Sequence, residues 1–340
     1  MATLAIEIPE RSHTPPRSRN SVPIPYDVLH LIFSFALLHS THDRGTFTRR
    51  HYLRKVVAAV CRDWRACALS TPSFWNTLLI KSSFDIPDVL NCVALSAKLP
   101  LTIHIELQVT PYDALDRLFI ALAPAFIRCV SIGFTFSTYS FMDTVFSLVQ
   151  SRHFPVLEDI FLRSNIGFTD VRVFPYEVFA PTIRSLYLQK CPVLWDPRVT
   201  FSTLHTLALS GVSMYFGRPS ADFAVLCECA PLLARLFLDF VDCRCTETAG
   251  LDQPFHPMVH LHTLYVSFVA EDSATTRMLS CMRLPALSTV YFDGQPAHFQ
   301  QLAAAAPTYF ATVQLLHLQV RNASRPAQYI FPPLPGVGSH

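Results

Sequence analysis

The sequence predicts an α/β solenoid: a curved parallel sheet with helices on its convex side, entered through a short N-terminal all-α module. Two observations carry this expectation. From residue 157 onward, seven segments fit one pattern, L-x-x-L-x-L with aliphatic or aromatic substitutes: LEDIFL at 157, IRSLYL at 183, LHTLAL at 204, LARLFL at 233, LHTLYV at 261, LSTVYF at 287 and VQLLHL at 313. Far ahead of them, two apolar stretches with helical character start at Pro25 and Tyr52, and Pro72 closes the second.

The 340 residues are 51% hydrophobic and only 15% charged, with a mean hydropathy of +0.30, so there is material for a large core. The longest apolar run, residues 118–127, includes Pro124. It falls short of the about 20 residues that a bilayer span needs, so no membrane segment is expected. No basic stretch leads into an apolar core at the N-terminus, so no secretory signal is expected either. Ten cysteines scattered without a dense framework read as reduced, mostly buried thiols of the cytosol or nucleus. Net charge is +2 but unevenly placed: residues 1–65 hold ten Lys/Arg against five Asp/Glu. The excess peaks in RGTFTRRHYLRK, residues 44–55, which reads as a solvated loop. A nucleic-acid site would call for a broader basic face with interleaved aromatics.

Residues 1–21 become rich in Pro, Ser and Arg and are expected to be disordered. PYDVLHLIFSFALLHS, from Pro25, reads as a helix. Proline suits the first helical position, Asp27 sits at the positive end of the helix dipole, and His39 lies near the other end. The segment is apolar on nearly every face, through Val28, Leu29, Leu31, Ile32, Phe33 and Phe35. A helix apolar all round must be covered all round. Too little chain precedes residue 70 to wrap it, so a partner protein or the downstream domain is expected to cover one side. A second helix is expected over 52–69, with Val57, Cys61, Trp64 and Ala68 on one face at i, i+4, i+7 and i+11. Pro72 biases Thr71 away from helix and ends it.

The seven segments start 26, 21, 29, 28, 26 and 26 residues apart, which matches the leucine-rich-repeat period of about 20–29 residues. Looser copies lie upstream: WNTLLI at 75, PLTIHI at 100 and IRCVSI at 127. The apolar positions point into a core that each coil closes only with its neighbours. Positions three and five face the open sheet surface, because side chains alternate along a strand. Helices are expected between strands at 87–99, 112–123, 141–151, 221–229, 273–282 and 297–306, and Pro100, Pro155, Pro181, Pro231 and Pro285 punctuate the return to the sheet. Cys191 stands at the repeat's Asn/Cys position in IRSLYLQKC. The expected layout is a tail at 1–21, a helical module at 22–73 with an insertion at about 39–51, a solenoid at 74–322 and a tail at 323–340.

IPYDVLHLIF (24–33) followed by VCRDWRACALSTPSFW (60–75) resembles the F-box family, whose pattern is Leu-Pro-x-Glu-Ile-Leu, then Ile-Phe, then Val-Cys-x-x-Trp. Ile24-Pro25 stands at the Leu-Pro position, Asp27 at the acidic one, and Val28-Leu29 and Ile32-Phe33 at the aliphatic ones. Val60-Cys61, Trp64-Arg65 and the Thr71-Pro72-x-x-Trp75 ending complete the match. The whole chain looks most like F-box proteins with degenerate leucine-rich repeats from mushroom-forming fungi. The resemblance implies a substrate-recognition subunit of an SCF (cullin-RING) ubiquitin ligase, acting in ubiquitin-dependent protein degradation. Its F-box would dock on the Skp-type adaptor, and through it a cullin, using Pro25, Val28, Leu29, Ile32, Phe33, Val60, Cys61 and Trp64. One departure stands out: the family has about a dozen residues between the positions of Phe33 and Val60, and here there are 26. Trp64 is expected to knit the F-box helices together, and Trp75 to begin the first repeat strand and cap the solenoid's open end.

On the concave face, position five reads Phe161, Tyr187, Ala208, Phe237, Tyr265, Tyr291 and His317, and position three includes Arg235. Five aromatics in seven slots form a ladder. Phe161, Tyr187, Arg235, Phe237, Tyr265 and Tyr291 are therefore expected to hold a protein substrate, with ring stacking along the sheet as the structural alternative. Cys227, Cys229, Cys243 and Cys245 form two C-x-C pairs, off the C-x₂₋₄-C spacing of structural zinc sites. No H-E-x-x-H, G-x-S-x-G or Walker loop is present, so no cofactor, metal or catalytic residue is expected. The expectation is a non-catalytic monomer within a hetero-complex, cytoplasmic or nuclear, without nucleic-acid or membrane partners. The other role left open is an adaptor-independent interaction scaffold.

Overall fold

The computed structural model describes residues 24–38, 52–54, 56–82, 86–107, 112–165, 181–191, 200–211, 213–216, 228–239, 242–245, 257–267, 279, 282–305 and 312–320. The expected tails, the insertion at 39–51 and most of the helices expected at 221–229 and 273–282 lie outside these residues.

Ten strands form one parallel sheet: β1 (Thr77–Ile80), β2 (Leu101–Ile105), β3 (Cys129–Phe136), β4 (Asp159–Ser164), β5 (Ser185–Gln189), β6 (Thr206–Ser210), β8 (Arg235–Asp239), β10 (Thr263–Ser267), β11 (Thr289–Gly294) and β12 (Leu315–Val320). The strands lie side by side in chain order. All seven LxxLxL segments align position for position: Ile160, Leu186, Leu207, Leu236, Leu264, Val290 and Leu316 form one rung-to-rung row. The result is a curved α/β solenoid of the leucine-rich-repeat type. Two further short strands, β7 (Ser213–Phe216) and β9 (Asp242–Cys245), pair with each other in parallel as a second sheet. Gly211, at a φ of 59°, lets the chain turn off β6 toward β7, a conformation costly for any residue with a Cβ.

One strand departs from its expected position. The segment IRCVSI was aligned from Ile127, but Ser131 pairs with Asp159, so the motif starts at Cys129. A bulge accounts for one residue of that shift: Leu101 pairs with Cys129 and Thr102 with Ser131, leaving Val130 as the extra residue. Ile127 is exposed as a consequence.

The helices α3 (Ile86–Leu95), α4 (Tyr112–Phe126), α5 (Tyr139–Gln150) and α6 (Pro296–Ala305) occupy the connections, within a few residues of their expected bounds. Between sheet and helices runs a continuous apolar core, including Ile103, Leu118, Phe134, Leu162, Leu207 and Leu264. Before many strands the chain makes the same tight turn. Leu157 donates to the Phe154 carbonyl, Leu204 to Phe201, Leu233 to Ala230, Leu261 to Met258 and Leu287 to Leu284. Both ends of each turn are buried. Pro155, Pro231 and Pro285 follow the first turn residue, where a fixed φ near −65° is favourable. This gives three of the five prolines that precede strands their physical role.

The N-terminal module has α1 (Tyr26–Leu38) and α2 (Arg62–Leu69), with further helical residues at 52–54 and 56–60. The single helix expected over 52–69 is interrupted at Cys61, whose backbone is extended (φ −158°, ψ 177°) and whose sulfur accepts the Trp64 N–H at 3.5 Å. Cys61 acts as the N-cap of α2, and it is exposed rather than aligned with buried Val57 and Ala68. A second correction concerns the basic run. Arg54 is buried, not solvated: it donates to the Thr77 carbonyl, lies 3.7 Å from Cys92 Sγ and sits 5.9 Å from the Trp75 ring centroid. Among the described residues, no helix is long and apolar enough to cross a membrane.

Candidate interaction surfaces

The concave face is built from the residues that alternate away from the core. Strand pairing places position five of each strand in one row: Leu79, His104, Gly133, Phe161, Tyr187, Ala208, Phe237, Tyr265, Tyr291 and His317. Position three forms a parallel row in which Thr or Ser recurs at Thr77, Thr102, Ser131, Ser185, Thr206, Thr263 and Thr289, interrupted by Asp159 and Arg235. An aromatic spine thus runs beside a hydroxyl row.

The rings touch along the row. Phe237 and Tyr265 centroids are 6.1 Å apart, Tyr265 and Tyr291 6.4 Å, and Tyr291 and His317 4.6 Å with the rings stacked and their planes 3° from parallel. Such spacing contributes to sheet stability, and Phe161, Tyr187, Tyr265 and Tyr291 stay half-buried while His317 is exposed. Phe237 points to this side but is buried, so it supports the surface more than it presents one. Arg235 is half-buried and donates from Nε to Thr206 Oγ1 at 3.0 Å, which fixes its guanidinium across the middle of the face. Burial, with Asp159 adding repulsion, pushes the Tyr187 hydroxyl up to about 12, against a hydrogen bond to Ser185 and the nearby Arg235 charge. Tyr187 is therefore a neutral hydroxyl at any physiological pH.

At the other end of the row, His104 was not singled out, although position five of PLTIHI is the signal that finds it. Its imidazole lies over Gly133, where a Cβ would run into Nδ1, and its Nε2 is 3.1 Å from Thr135 Oγ1. The ring reaches to 5.8 Å from Phe161. Glycine in the adjacent rung lets this histidine bridge two strands.

The second surface is α1. Leu29 and Phe33, four apart, turn inward and are buried. Phe33 packs edge-on against Trp64 at 5.4 Å and against Phe74 at the same distance. Trp64 thus joins the helices, as expected. The opposite stripe is open: Val28 is 42% exposed, Leu31 56%, Ile32 43% and Phe35 60%. Pro25, Val60 and Cys61 are exposed beside it, and Trp64 is half-buried. The eight residues that the resemblance assigns to adaptor docking therefore divide into an inner set and an outer set.

Cys229 is buried and Cys243 and Cys245 lie on β9, while Cys227 falls outside the described residues. Burial also raises the thiols of Cys129, to about 12, and Cys191. Comparison with protein-family models gave no match, and neither curated proteins nor solved structures gave one.

Proposed function

We propose that this chain is a protein-interaction scaffold that holds another protein on the concave face of its solenoid. The observation that supports it is the half-exposed row of Tyr265, Tyr291 and His317 beside the hydroxyls of Thr263 and Thr289. Tyrosines bring large, rigid contact area at low entropic cost, and the flanking hydroxyls add hydrogen-bonding capacity. Such a role needs no catalytic group, cofactor or metal. The test is quantitative affinity capture comparing wild type with a Tyr265→Ala/Tyr291→Ala variant whose circular dichroism is unchanged. Proteins retained by wild type should be lost from the variant; identical capture by both rejects the concave face.

A second reading makes the scaffold a substrate receptor of an SCF ubiquitin ligase, cytoplasmic or nuclear, with the helical module on a Skp-type adaptor. One observation favours it: the F-box-like residues Val28 and Ile32, with Leu31 and Phe35, form an exposed apolar stripe on α1, the kind of contiguous patch that often marks an interaction site. Pull-down with purified adaptor tests it, using Leu31→Asp/Ile32→Asp as the control because neither side chain is in the module's core. Adaptor retained by wild type alone supports the receptor; no retention by wild type leaves the scaffold.

A further inference from the structure

One fixed cation interrupts the hydroxyl row beside the aromatic spine. Arg235, at position three of β8, stands in register between Thr206 of β6 and Thr263 of β10. Its Nε donates to Thr206 Oγ1 at 3.0 Å, so the guanidinium is held across β6. Position five of β6 is Ala208 rather than a ring. That leaves the long side chain room to approach Tyr187 of β5, close enough for its charge to act on the hydroxyl. The other charges of this face are placed differently. Position seven carries Arg163, Asp239 and Asp293, in register with Gln189, Ser210 and Ser267. Asp239 and Asp293 are buried, and Ser210 Oγ donates to Asp239 Oδ2 at 2.9 Å. Asp239 is also four residues along from Arg235, roughly 13 Å of strand. Asp159 and Arg163 belong to β4, three strands away from β8. Among the described residues, Arg235 has no carboxylate partner. The fixed charge that the face presents from β8 to β11 is therefore the half-buried guanidinium of Arg235.

We infer that the concave face takes an acidic segment of a partner protein, with an aspartate or glutamate carboxylate gripped by the two Nη groups of Arg235 and a neighbouring apolar side chain resting on Tyr265 and Tyr291. The inference rests on the reading of the concave face as a binding surface and names the chemistry of what it binds. A guanidinium whose Nε is engaged still has N–H donors on both terminal nitrogens, and the two oxygens of a carboxylate match them side by side. The bond to Thr206 holds the planar fork in place beforehand, so less side-chain freedom is lost when the carboxylate arrives. Half-burial among rings strengthens the pair relative to one on an exposed rim. Single positive charge selects the carboxylate: the neighbours in register, Thr206 and Thr263, are neutral hydroxyls that bring no second cation for a phosphate dianion. Arginine and tyrosine are also the side chains that most often dominate the energy of an interface.

The experiment selects a displayed library of random peptides on the immobilised full chain. Wild type should enrich peptides that carry Asp or Glu beside an apolar residue. Arg235→Gln should lose that enrichment, and Arg235→Glu should replace it with Lys or Arg. With the best wild-type peptide, changing its acidic residue to the amide should weaken binding about 10- to 100-fold, the scale of a charged hydrogen-bonded pair. The same change should matter little to Arg235→Gln, because the two groups are coupled. The peptide-side change is read on wild type, so it decides the matter even if an Arg235 variant unfolds. Tyr265→Ala/Tyr291→Ala separates the two readings. Peptides that depend on the tyrosines but carry no acidic residue overturn this inference and leave the concave face a binding surface. No enrichment above background, or peptides indifferent to the tyrosines, overturns both. Tighter binding of phosphoserine than of glutamate at the same peptide position overturns the carboxylate in favour of a phosphorylated partner. Self-association of the chain in light scattering, abolished by Arg235→Glu, makes a second copy the occupant and overturns it too.

Discussion

At β1 the sheet ends against a helical module; at β12 it ends against nothing among the described residues. The contrast is visible in equivalent side chains, since Leu78 of β1 is fully buried where Leu316 of β12 is open. The closed end is held by more than apolar contact. Trp75 donates its indole N–H to the Ala68 carbonyl at 2.7 Å, tying the first strand's lead to α2. Thr102 takes the Asn76 carbonyl, so the next carbonyl, that of Thr77, faces the free edge of β1. Arg54 donates to that carbonyl from within the module. A buried guanidinium thus satisfies an edge acceptor, although burial lowers its pKa. The difference teaches that the first rung of a solenoid needs a terminal element that answers its backbone groups. The module at 24–74 does so and buries Trp75, while Leu78 lies in the solenoid's own core.

The largest effect is expected from breaking the closed end. Trp75→Ala should cost about 3–5 kcal/mol, the range for deleting a buried aromatic, measured as the shift in urea unfolding free energy. Arg54→Leu should cost about 1–3 kcal/mol through loss of the charge-assisted hydrogen bond to the Thr77 carbonyl. If Trp75→Ala stays within about 1 kcal/mol of wild type, well under that range, the module is no cap and the two ends are alike.

Next in size is a matched pair at one motif position. Leu236→Ala, in β8, should cost about 3–4 kcal/mol, whereas Leu316→Ala in β12 should cost no more than half of that, because cavity and transfer costs scale with burial. Equal costs would show that β12 is as enclosed as the centre of the sheet.

These comparisons also mark where the sequence was transparent. The strands were legible because one apolar pattern recurs in fixed phase, and the concave row followed from alternation alone. IRCVSI slipped by two residues because Ile127, Val130 and Ile132 fit the apolar positions as Cys129, Ile132 and Phe134 do, and a shift of two keeps the alternation of sides. The break at Cys61 was hidden because cysteine is not a usual N-cap and the apolar spacing runs through it. Arg54 looked solvated because it lies in a basic run, and its burial depends on Trp75 and Thr77 more than 20 residues on. Burial of Phe237 depends on its neighbours in three dimensions, which position five alone does not report. The paired strands β7 and β9 read SMYF and DCRC, too short and too unlike the repeat to be seen.

The concave row repeats the asymmetry of the ends. Toward β1 it is plugged by buried His104 lying over Gly133, and toward β12 it finishes in exposed His317. Gly133→Ala would force the imidazole from its place beside Thr135, and overpacking of this kind costs about 1–3 kcal/mol. The His104→Ala/Gly133→Ala double variant should recover part of that loss, since the space is then shared. A Gly133→Ala variant as stable as wild type would mean that the plug swings aside freely, and the row is as open at this end as at the other.

The smallest expected effect lies between the two ends, at Tyr187, and it is read from pH. Its hydroxyl titrates near about 12 when folded, against an ordinary 10. Below pH 10 both folded and unfolded forms keep the proton, and its contribution to stability is complete. Between pH 10 and 12 the unfolded tyrosine ionises first, so the unfolded state binds fewer protons and stability falls by at most ~1.4 kcal/mol per pH unit. Tyr187→Phe removes this dependence and, at pH 8, loses only the hydrogen bond to Ser185, about 0.5–1.5 kcal/mol. Other lysines and tyrosines titrate equally in both proteins and cancel in the difference. Urea midpoints of wild type and variant should therefore converge as pH rises above 10 and cross before pH 12, because a loss of up to ~2.7 kcal/mol over two units exceeds the gap at pH 8. A constant gap would mean that Tyr187 is solvated, and that the middle of the concave face is as open as its β12 end.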